Sequence, residues 1–600
     1  MPAIDRVILA CLPWLALWIV LSGLDDFFLD LVCFSAWLRR LRRQPSFAPS
    51  RESKAEKRTA ILVPLWHEHR VIGKMIEHNL GAIQYRNYAL FAGAYPNDAP
   101  TVAAVRQAEA RFPRVHLALC PHGGPTSKAD CLNWIYQRMK DYERQHGVRF
   151  DVIVVHDAED LVHPEELRRI NRALDSCDMV QIPVLPLATP LGRFTHGVYC
   201  DEFAEYQTKD VPARLLLGGF LPSNGVGTGY SRRALEAAAD RQGGRIFDPG
   251  CLTEDYEMGL RLHEMGCRQV FLPIEFVAGQ PVATREFFPR RLRHALKQRT
   301  RWVLGISLQA WQHHGWSGDW RRLYWFWRDR KGLAGNLVSA LANASLIYGL
   351  TTWVWSRAAH VAWGLGAGPR YRWLIPLFYL TLWMQLHRTA VRCGAVARIY
   401  GWKFAAGVPL RMFWANWINF FATAAALARY AYARLLSRPL VWFKTEHDYP
   451  TRAGLIAHNQ PLGEVLIRAG QLTEEQLRRA LALKQANERL GEYLVRNGLL
   501  SAEVVYSGLS VQQSVPFEPL DGARIRPGVA RSLPGPVARR CRVVPFRVEA
   551  GKLFLAGPEY PTDGALDQLR GFTRLKVEFH YITPTNYQRL TRELLGVPAA

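Results

Sequence analysis

Three acids close the run Val152-Ile153-Val154-Val155-His156-Asp157-Ala158-Glu159-Asp160. Four β-branched residues in succession read as a buried strand, and Pro164 ends whatever follows. Carboxylates just beyond a strand end can hold a hard divalent cation, and the cation can hold a diphosphate. Taken alone, the run is equally consistent with a solvated acidic loop.

Other clusters bear on that choice. Pro64-Leu65-Trp66-His67-Glu68 ends an apolar run with an aromatic and an acid, a pair suited to stack on and hydrogen-bond a base. Tyr95-Pro96-Asn97-Asp98 is a turn whose acid could reach a ribose or base. In Ser127-Lys128-Ala129-Asp130 the lysine stands at a helix start, where the helix dipole would help it reach a diphosphate. Leu252-Thr253-Glu254-Asp255 opens a helix, and there Asp255 is also a good capping residue. Gln298, Arg301 and Trp302 share one helical face. The indole could stack on an acceptor sugar, and the guanidinium could stabilise a departing phosphate. The loop Ser223-Asn224-Gly225-Val226-Gly227-Thr228-Gly229 lacks the lysine of a P-loop, so Gly227 suits close approach of a sugar better than a nucleoside triphosphate. Nucleotide-sugar transfer needs a nucleoside pocket, a metal for the leaving diphosphate, a base, and a grip on the acceptor. Each requirement has a candidate here.

The elements that must position these residues alternate between strand and helix. Strands are expected at Ala60–Pro64, Tyr88–Ala94, Val115–Cys120, Val152–Val155 and Val180–Val184. Helices are expected at Val71–Gly81, Val102–Phe112, Ser127–Arg144 and Tyr256–Met265. That order predicts a parallel, doubly wound sheet.

A net charge of +24 with 20 Trp points to an anionic membrane surface or phosphorylated ligands. No nucleic-acid-binding signature is present, so no nucleic acid partner is expected. The ten Cys are scattered, without a C-x-x-C pair, which fits a reduced compartment, no disulfide framework and no structural zinc. Ile4–Leu24 is apolar enough to span about 30 Å of hydrocarbon as a helix. It lacks a basic flank and a good cleavage site, which favours an uncleaved anchor over a signal peptide. The basic run Arg39, Arg40, Arg42, Arg43, Arg51, Lys54, Lys57 and Arg58 places the following domain on the cytoplasmic side. Arg285–Trp302 reads as a basic helix in the membrane interface. Leu333–Trp355 and Trp373–Val391 read as two further spans. Phe404–Tyr432 carries Arg411, Asn416, Asn419 and Arg429, costly at mid-bilayer, and is expected along the inner surface.

The C-terminal part repeats itself. Pro461-Leu462-Gly463-Glu464-Val465-Leu466-Ile467-Arg468-Ala469-Gly470 matches Arg489-Leu490-Gly491-Glu492-Tyr493-Leu494-Val495-Arg496-Asn497-Gly498. Each copy runs into a helix, Thr473–Lys484 and Ser501–Gln513. Strands at Val515–Pro519, Val543–Val548 and Lys552–Ala556, with helices at Asp563–Leu569 and Pro584–Leu595, make this a small α/β unit.

In order along the chain, Trp66-x-Glu68, Pro96-Asn97-Asp98, Lys128, Asp157-x-Glu159, Thr253-Glu254-Asp255 and Gln298-x-x-Arg301-Trp302 resemble the motifs of the processive family 2 glycosyltransferases, which include the cellulose, chitin and hyaluronan synthases. The runs Pro125–Asn133 and His156–Asp160 are more closely similar to a bacterial inner-membrane group named for phage adsorption, the NfrB type. The resemblance implies a membrane-anchored GT-A-type domain of the α/β class with transmembrane and interfacial helices. It implies that Trp66, Glu68 and Asp98 bind the nucleoside, Lys128 the diphosphate, and Asp157 with Glu159 a Mg²⁺ or Mn²⁺ ion. The second acid of the D-x-D pair is Glu159, with Asp160 adjacent, so either could be the ligand. Glu254, Asp255 and Arg301 would be catalytic, with Asp255 the general base. Gln298, Arg301, Trp302 and Gly227 would hold the acceptor.

The C-terminal repeat resembles the MshEN type of domain, which binds cyclic di-GMP. By that resemblance the ligands would be Leu462, Gly463, Leu466, Gly470, Arg489, Leu490, Gly491, Leu494, Gly498 and Gln512. The first copy departs from the pattern, with Pro461 in place of the arginine and Lys484 in place of the glutamine. No Walker A sequence follows, so a sensor without a motor is expected.

The domain boundaries expected are an anchor at 1–38, the transferase at 59–302, interfacial and transmembrane helices at 303–435, a linker at 436–454 and the MshEN-like domain at 455–600. The expected partners are a nucleotide sugar, a growing glycan, membrane lipid, cyclic di-GMP as allosteric effector, and an outer-membrane protein. The setting expected is the bacterial inner membrane, with the chain multi-pass and both domains cytoplasmic. Two other activities fit the same motifs less fully: a non-catalytic scaffold paired with an outer-membrane protein, and a single-addition lipid glycosyltransferase.

Overall fold

A computed structural model of the chain describes residues 3–42, 55–277, 280–366, 372, 374–437, 461–485, 488–513, 515–549 and 551–595. Most of the expected linker 436–454, the residues 455–460 and the basic positions Arg43, Arg51 and Lys54 lie outside the described residues. The chain divides into two compact units, one of Met1–Trp66, Phe91–Asp98 and Ala118–Asp448, the other of His67–Leu90, Ala99–Leu117 and Tyr449–Ala600.

The central sheet is built from β1 (Thr59–Pro64), β2 (Tyr88–Ala94), β3 (Val115–Leu119), β4 (Val152–Val155), β5 (Met179–Gln181), β7 (Thr228–Ser231) and β8 (Gln269–Phe271). A short β6 (Val184–Pro186) pairs outside it with Thr284–Glu286. The order is β3-β2-β1-β4-β7-β5-β8. β1 runs parallel to β4, and β5 parallel to β8. β7 is antiparallel to both β4 and β5, so the sheet is mixed rather than wholly parallel. Thr-Gly-Tyr-Ser is too short and too poor in branched residues to announce a central strand. β4 is buried on all four residues, as a strand covered on both faces must be.

Among the described residues, two helices are long and apolar enough to cross a membrane, within Ile4–Arg39 and Trp320–Ala358. The helix Leu374–Tyr400, which contains most of the third expected span, is not among them. The first helix runs unbroken from Ala3 to Arg42. Asp25 on it pairs with Arg328 and Lys331, and Asp30 with Lys209 and His387. These acids tie the helix to the transferase sequence through Lys209, and to the helices that follow that sequence through Arg328, Lys331 and His387.

The basic stretch from Arg285 is not one interfacial helix. Its first residues form the strand Thr284–Glu286, and the helix begins at Leu292. Arg299 on that helix is buried, pairs with Glu202 at 2.8 Å and donates to Asn419 at 2.6 Å. The helix Val408–Leu435 offsets its polar residues in the same manner. Arg411 is bidentate to Asp201 at 2.7 and 2.8 Å, and Asn416 donates to Asn343 at 3.1 Å.

In the second unit the repeat forms two helix pairs, Leu462–Arg468 with Glu474–Leu483 and Leu490–Arg496 with Ala502–Gln513. Each first helix ends alike. Gly470 and Gly498 take φ of +74° and +64°, and Gln471 and Leu499 donate back to Leu466 and Leu494, each at 2.9 Å. Thr473 and Gln476 close a capping box where the helix from Thr473 was expected to start. Gly463 and Gly491 allow the pairs to close up, because a Cβ would lie 2.5 Å from Leu477 and 2.8 Å from Val505. A three-stranded sheet follows, Val544–Glu549, Lys552–Gly557 and Lys576–Tyr581. The last strand was not expected, and the expected strand Val515–Pro519 makes only an isolated bridge, Phe517 to Tyr581. The same unit contains the helices Ile72–Ala82 and Ala99–Arg111. Arg111 joins the two groups: it pairs with Glu77 at 2.6 Å and donates to Ser507 at 3.1 Å and Ser510 at 3.5 Å.

Candidate active site

β1, β2 and β3 end side by side, since Leu65 N–H donates to Gly93 O and Cys120 N–H to Ala94 O. β4 ends at the same edge, parallel to β1. Trp66, Asp98 and Asp157 therefore leave the sheet at one edge, the place where open α/β sheets bind ligands.

At the nucleoside side, Trp66 packs edge-on to Tyr95 with centroids 5.4 Å apart. Asn97 clamps the facing loop, donating to Gly124 O at 2.6 Å and accepting from Gly124 N–H at 2.8 Å. A Cβ on Gly124 would sit 2.7 Å from the Trp66 ring, so only glycine lets this loop lie against the indole. Asp98 is fully buried behind the turn. Glu68 is buried in the other unit, where its N–H donates to Thr101 Oγ1 at 3.1 Å. Sequence reasoning singled out Trp66 and Asp98 but passed over Tyr95 and Gly124, whose parts depend on shape.

Lys128 is the hub. Ser127 caps its helix, accepting from Asp130 N–H. The ammonium lies 2.7 Å from Asp157 Oδ1 and 3.2 Å from Gly225 O. Burial alone would lower its pKa, but Asp157, Glu254 and Asp255 outweigh it and hold the pKa well above the ordinary lysine value. Gly225 has φ of +76°, and a Cβ there would fall 2.7 Å from Asp255 Oδ2. The glycine-rich loop is thus pressed between Lys128 and Asp255. Gly227 lies behind it, its absent Cβ facing Thr284 and Glu166.

Asp160 is drawn inward. It accepts from His156 Nδ1 at 2.8 Å and from Asp157 N–H at 3.0 Å. The other ring nitrogen of His156 lies 3.2 Å from Glu166. Burial would lower the pKa of that imidazole, but Glu166 and Asp160 raise it to about 10. Asp160 therefore shapes the turn that carries Asp157 and Glu159, of which Glu159 is also buried.

The acid helix is Glu254–Glu264, with Thr253 rather than Asp255 at its N-cap. Asp255 Oδ1 accepts from Tyr256 N–H at 2.8 Å. Burial, and then Asp255 beside it, push Glu254 up to about 7 against the pull of Lys128 and Arg301. Burial likewise raises Asp255, opposed by Lys128, the Tyr256 N–H and Arg301. Arg301 and Gln298 stand on the helix Leu292–Trp302. Among the described residues, Arg301 Nε and Gln298 Oε1 are both buried with no hydrogen-bond partner. Trp302 packs edge-on to Tyr199 within a cluster that includes Phe203 and Phe288. A π-helical segment, Val303–Gln309, follows directly, a form that sequence patterns do not signal.

Of the cyclic di-GMP candidates, Leu466 and Leu494 are fully buried in the helical core, and Leu462 and Leu490 pack on it. Arg489 is exposed and lies 3.4 Å from Glu559.

Residues 57–305 match the family described as "Glycosyltransferase like family 2", and residues 513–600 match the MshEN domain. The chain is 37% identical over 570 residues to bacteriophage adsorption protein B of Escherichia coli K12, covering 91% of this chain and 76% of the relative. Bacteriophage N4 adsorption protein B of Escherichia coli O157:H7 matches to the same extent. Among solved structures, the mannosyltransferase PcManGT of Pyrobaculum calidifontis, solved with GDP-Man and Mn²⁺, is similar with a TM-score of 0.40 and 17% identity, over 67% of this chain and 99% of that one. The chain is a family 2 glycosyltransferase with a C-terminal MshEN domain, and it belongs to the bacteriophage adsorption protein B family.

Proposed function

We propose that the chain is an inverting, metal-dependent hexosyltransferase that extends an exopolysaccharide at the inner membrane from a UDP-sugar, such as a UDP-N-acetylhexosamine, under the control of cyclic di-GMP. The observation that carries this reading is the lysine at the centre of the acids, with Lys128 2.7 Å from Asp157 and against the loop that touches Asp255. Asp157 and Glu159 would hold Mg²⁺ or Mn²⁺. The donor set is hard oxygen, and Asp160 is committed to His156 and the turn. When bound, such a cation neutralises the leaving diphosphate. Asp255, raised by burial, takes the acceptor hydroxyl proton. Lys128 and Arg301 hold charge on the donor side, and Trp302 stacks on the acceptor ring. The two long apolar helices and the +24 charge support a membrane setting. The relatives are named for phage adsorption, which leaves a scaffold paired with an outer-membrane protein as the second reading. Purified full-length chain incubated with a panel of UDP-sugars and Mg²⁺ or Mn²⁺ separates the two. Release of UDP from one sugar is expected; no release from any sugar with either cation overturns the transferase reading.

The regulatory route follows the second unit. Arg111 joins the helix Ala502–Gln513 to the helices that follow Glu68 and Asp98 in the chain. Cyclic di-GMP held by Arg489 would shift the repeat helices and with them these two crossover helices. Arg489→Ala removes a charge-assisted phosphate contact of about 1.5–3 kcal/mol, so calorimetry should show cyclic di-GMP binding weakened roughly tenfold or more. Unchanged affinity would remove Arg489 from the site.

A further inference from the structure

We propose that the back of the acid helix carries a zinc site, made by Cys251, Glu257 and His313. Their ligand atoms, one thiol, one carboxylate oxygen and one imidazole nitrogen, all lie within 4.8 Å of one another. Tetrahedral zinc with bonds of about 2.0–2.3 Å sets its ligands about 3.3–3.8 Å apart, so small side-chain rotations close the cage. Glu257 Oε1 is buried and pairs with His313 Nδ1 at 3.4 Å, with no hydrogen bond to it among the described residues. Its other oxygen is held by His314 Nε2 at 2.7 Å, the kind of outer contact that fixes a metal-binding carboxylate. Cys251 is buried, while His313 is about one-third exposed, so an ion has a way in and a water can complete the shell.

The donor set selects the metal. A thiolate with an imidazole suits zinc, whereas Mg²⁺ and Mn²⁺ prefer oxygen ligands alone. The site is also separate from the Asp157–Glu159 pair. Glu257 follows Asp255 by two residues on one helix, a rotation of about 200°, so the two side chains leave opposite faces. The scattered cysteines predicted no structural zinc because Cys251 and His313 are far apart in sequence and meet only in the fold.

The place suggests a brace. Cys251 precedes the acid helix, Glu257 lies on it, and His313 stands in the last turn of the helical run that begins at Leu292 and carries Gln298, Arg301 and Trp302. The same two segments already touch. Leu252 N–H donates to Gln309 Oε1 at 2.9 Å, and Gln309 donates to Gly250 O at 2.8 Å. A Cβ on Gly305 would fall 3.0 Å from Thr253 Cβ. Zinc would lock the turn bearing Asp255 to the helix bearing Arg301.

The test uses the full-length chain in detergent, with the Asp157→Asn and Glu159→Gln changes made together so that the D-x-D pair cannot hold the counted metal. Elemental analysis should find one zinc ion per chain, and Cys251→Ser or His313→Ala in that background should lose it. Zinc-stripped chain with Cys251 intact should take up Co²⁺ with a thiolate-to-cobalt charge-transfer band. That band does not depend on whether the ligand variants fold. Zinc content unaffected by both ligand changes, or cobalt uptake without the thiolate band, overturns the site.

Discussion

Asp255→Asn is expected to leave UDP-sugar affinity within about twofold while slowing transfer by about 10²–10⁴-fold, the usual contribution of a positioned base. The amide keeps the shape of the carboxylate and can still accept from Tyr256 N–H, so the helix start and the contact with Gly225 survive. It cannot take a proton. The readouts are donor affinity by calorimetry and polymer or UDP production, measured on the same preparation. Transfer within a few-fold of wild type would end the assignment. The surroundings add a second expectation. Burial raises both Glu254 and Asp255, so the base becomes protonated at a higher pH than an ordinary carboxylate. Rate should therefore fall as pH drops, starting above the usual carboxylate range, and the limb belongs to the pair rather than to either residue. Glu254→Gln removes the neighbouring negative charge and should shift that limb to lower pH. A limb that does not move would separate Glu254 from the titration.

Much of this was legible in the order of residues because it is local. Val152–Val155 is branched throughout and ends in acids, and it lies in the sheet beside β1 as a buried strand should. Ser127 caps the helix that carries Lys128, and Thr473 with Gln476 closes a capping box; both are signals a few residues long. What stayed hidden depends on distant partners. β7 enters antiparallel because its neighbours β4 and β5 accept it, not because Thr-Gly-Tyr-Ser favours a strand. Asp160 and Glu159 are equivalent in sequence, and only His156 and Glu166 reveal that Asp160 turns inward. Gly225 reads only as one residue of a glycine-rich loop until Asp255 is found where its side chain would be. The polar residues of Val408–Leu435 are legible in the sequence, but their partners Asp201, Asn343 and Arg299 are not, since one segment cannot disclose them.

That last pairing predicts the largest effect on stability. Arg411 and Asp201 are both almost wholly buried, with two short contacts between them, and Arg411 also donates to Phe404 O at 2.8 Å. Burial already holds the Asp201 carboxyl above its ordinary range in spite of the guanidinium. Arg411→Ala leaves that acid either charged without a partner or forced to protonate, and removes a large side chain packed over the Phe404 ring. Breaking such a pair from one side costs about 3–5 kcal/mol. Replacing both charges by apolar residues of similar size, Arg411→Met with Asp201→Leu, removes the uncompensated charge as well and should recover most of that loss. Thermal unfolding of the purified chain in detergent measures both. The single variant should unfold at a clearly lower temperature and the double variant close to wild type. A double variant as unstable as the single would mean that Arg411 acts through its packing on Phe404 and Gly197 rather than through the ion pair.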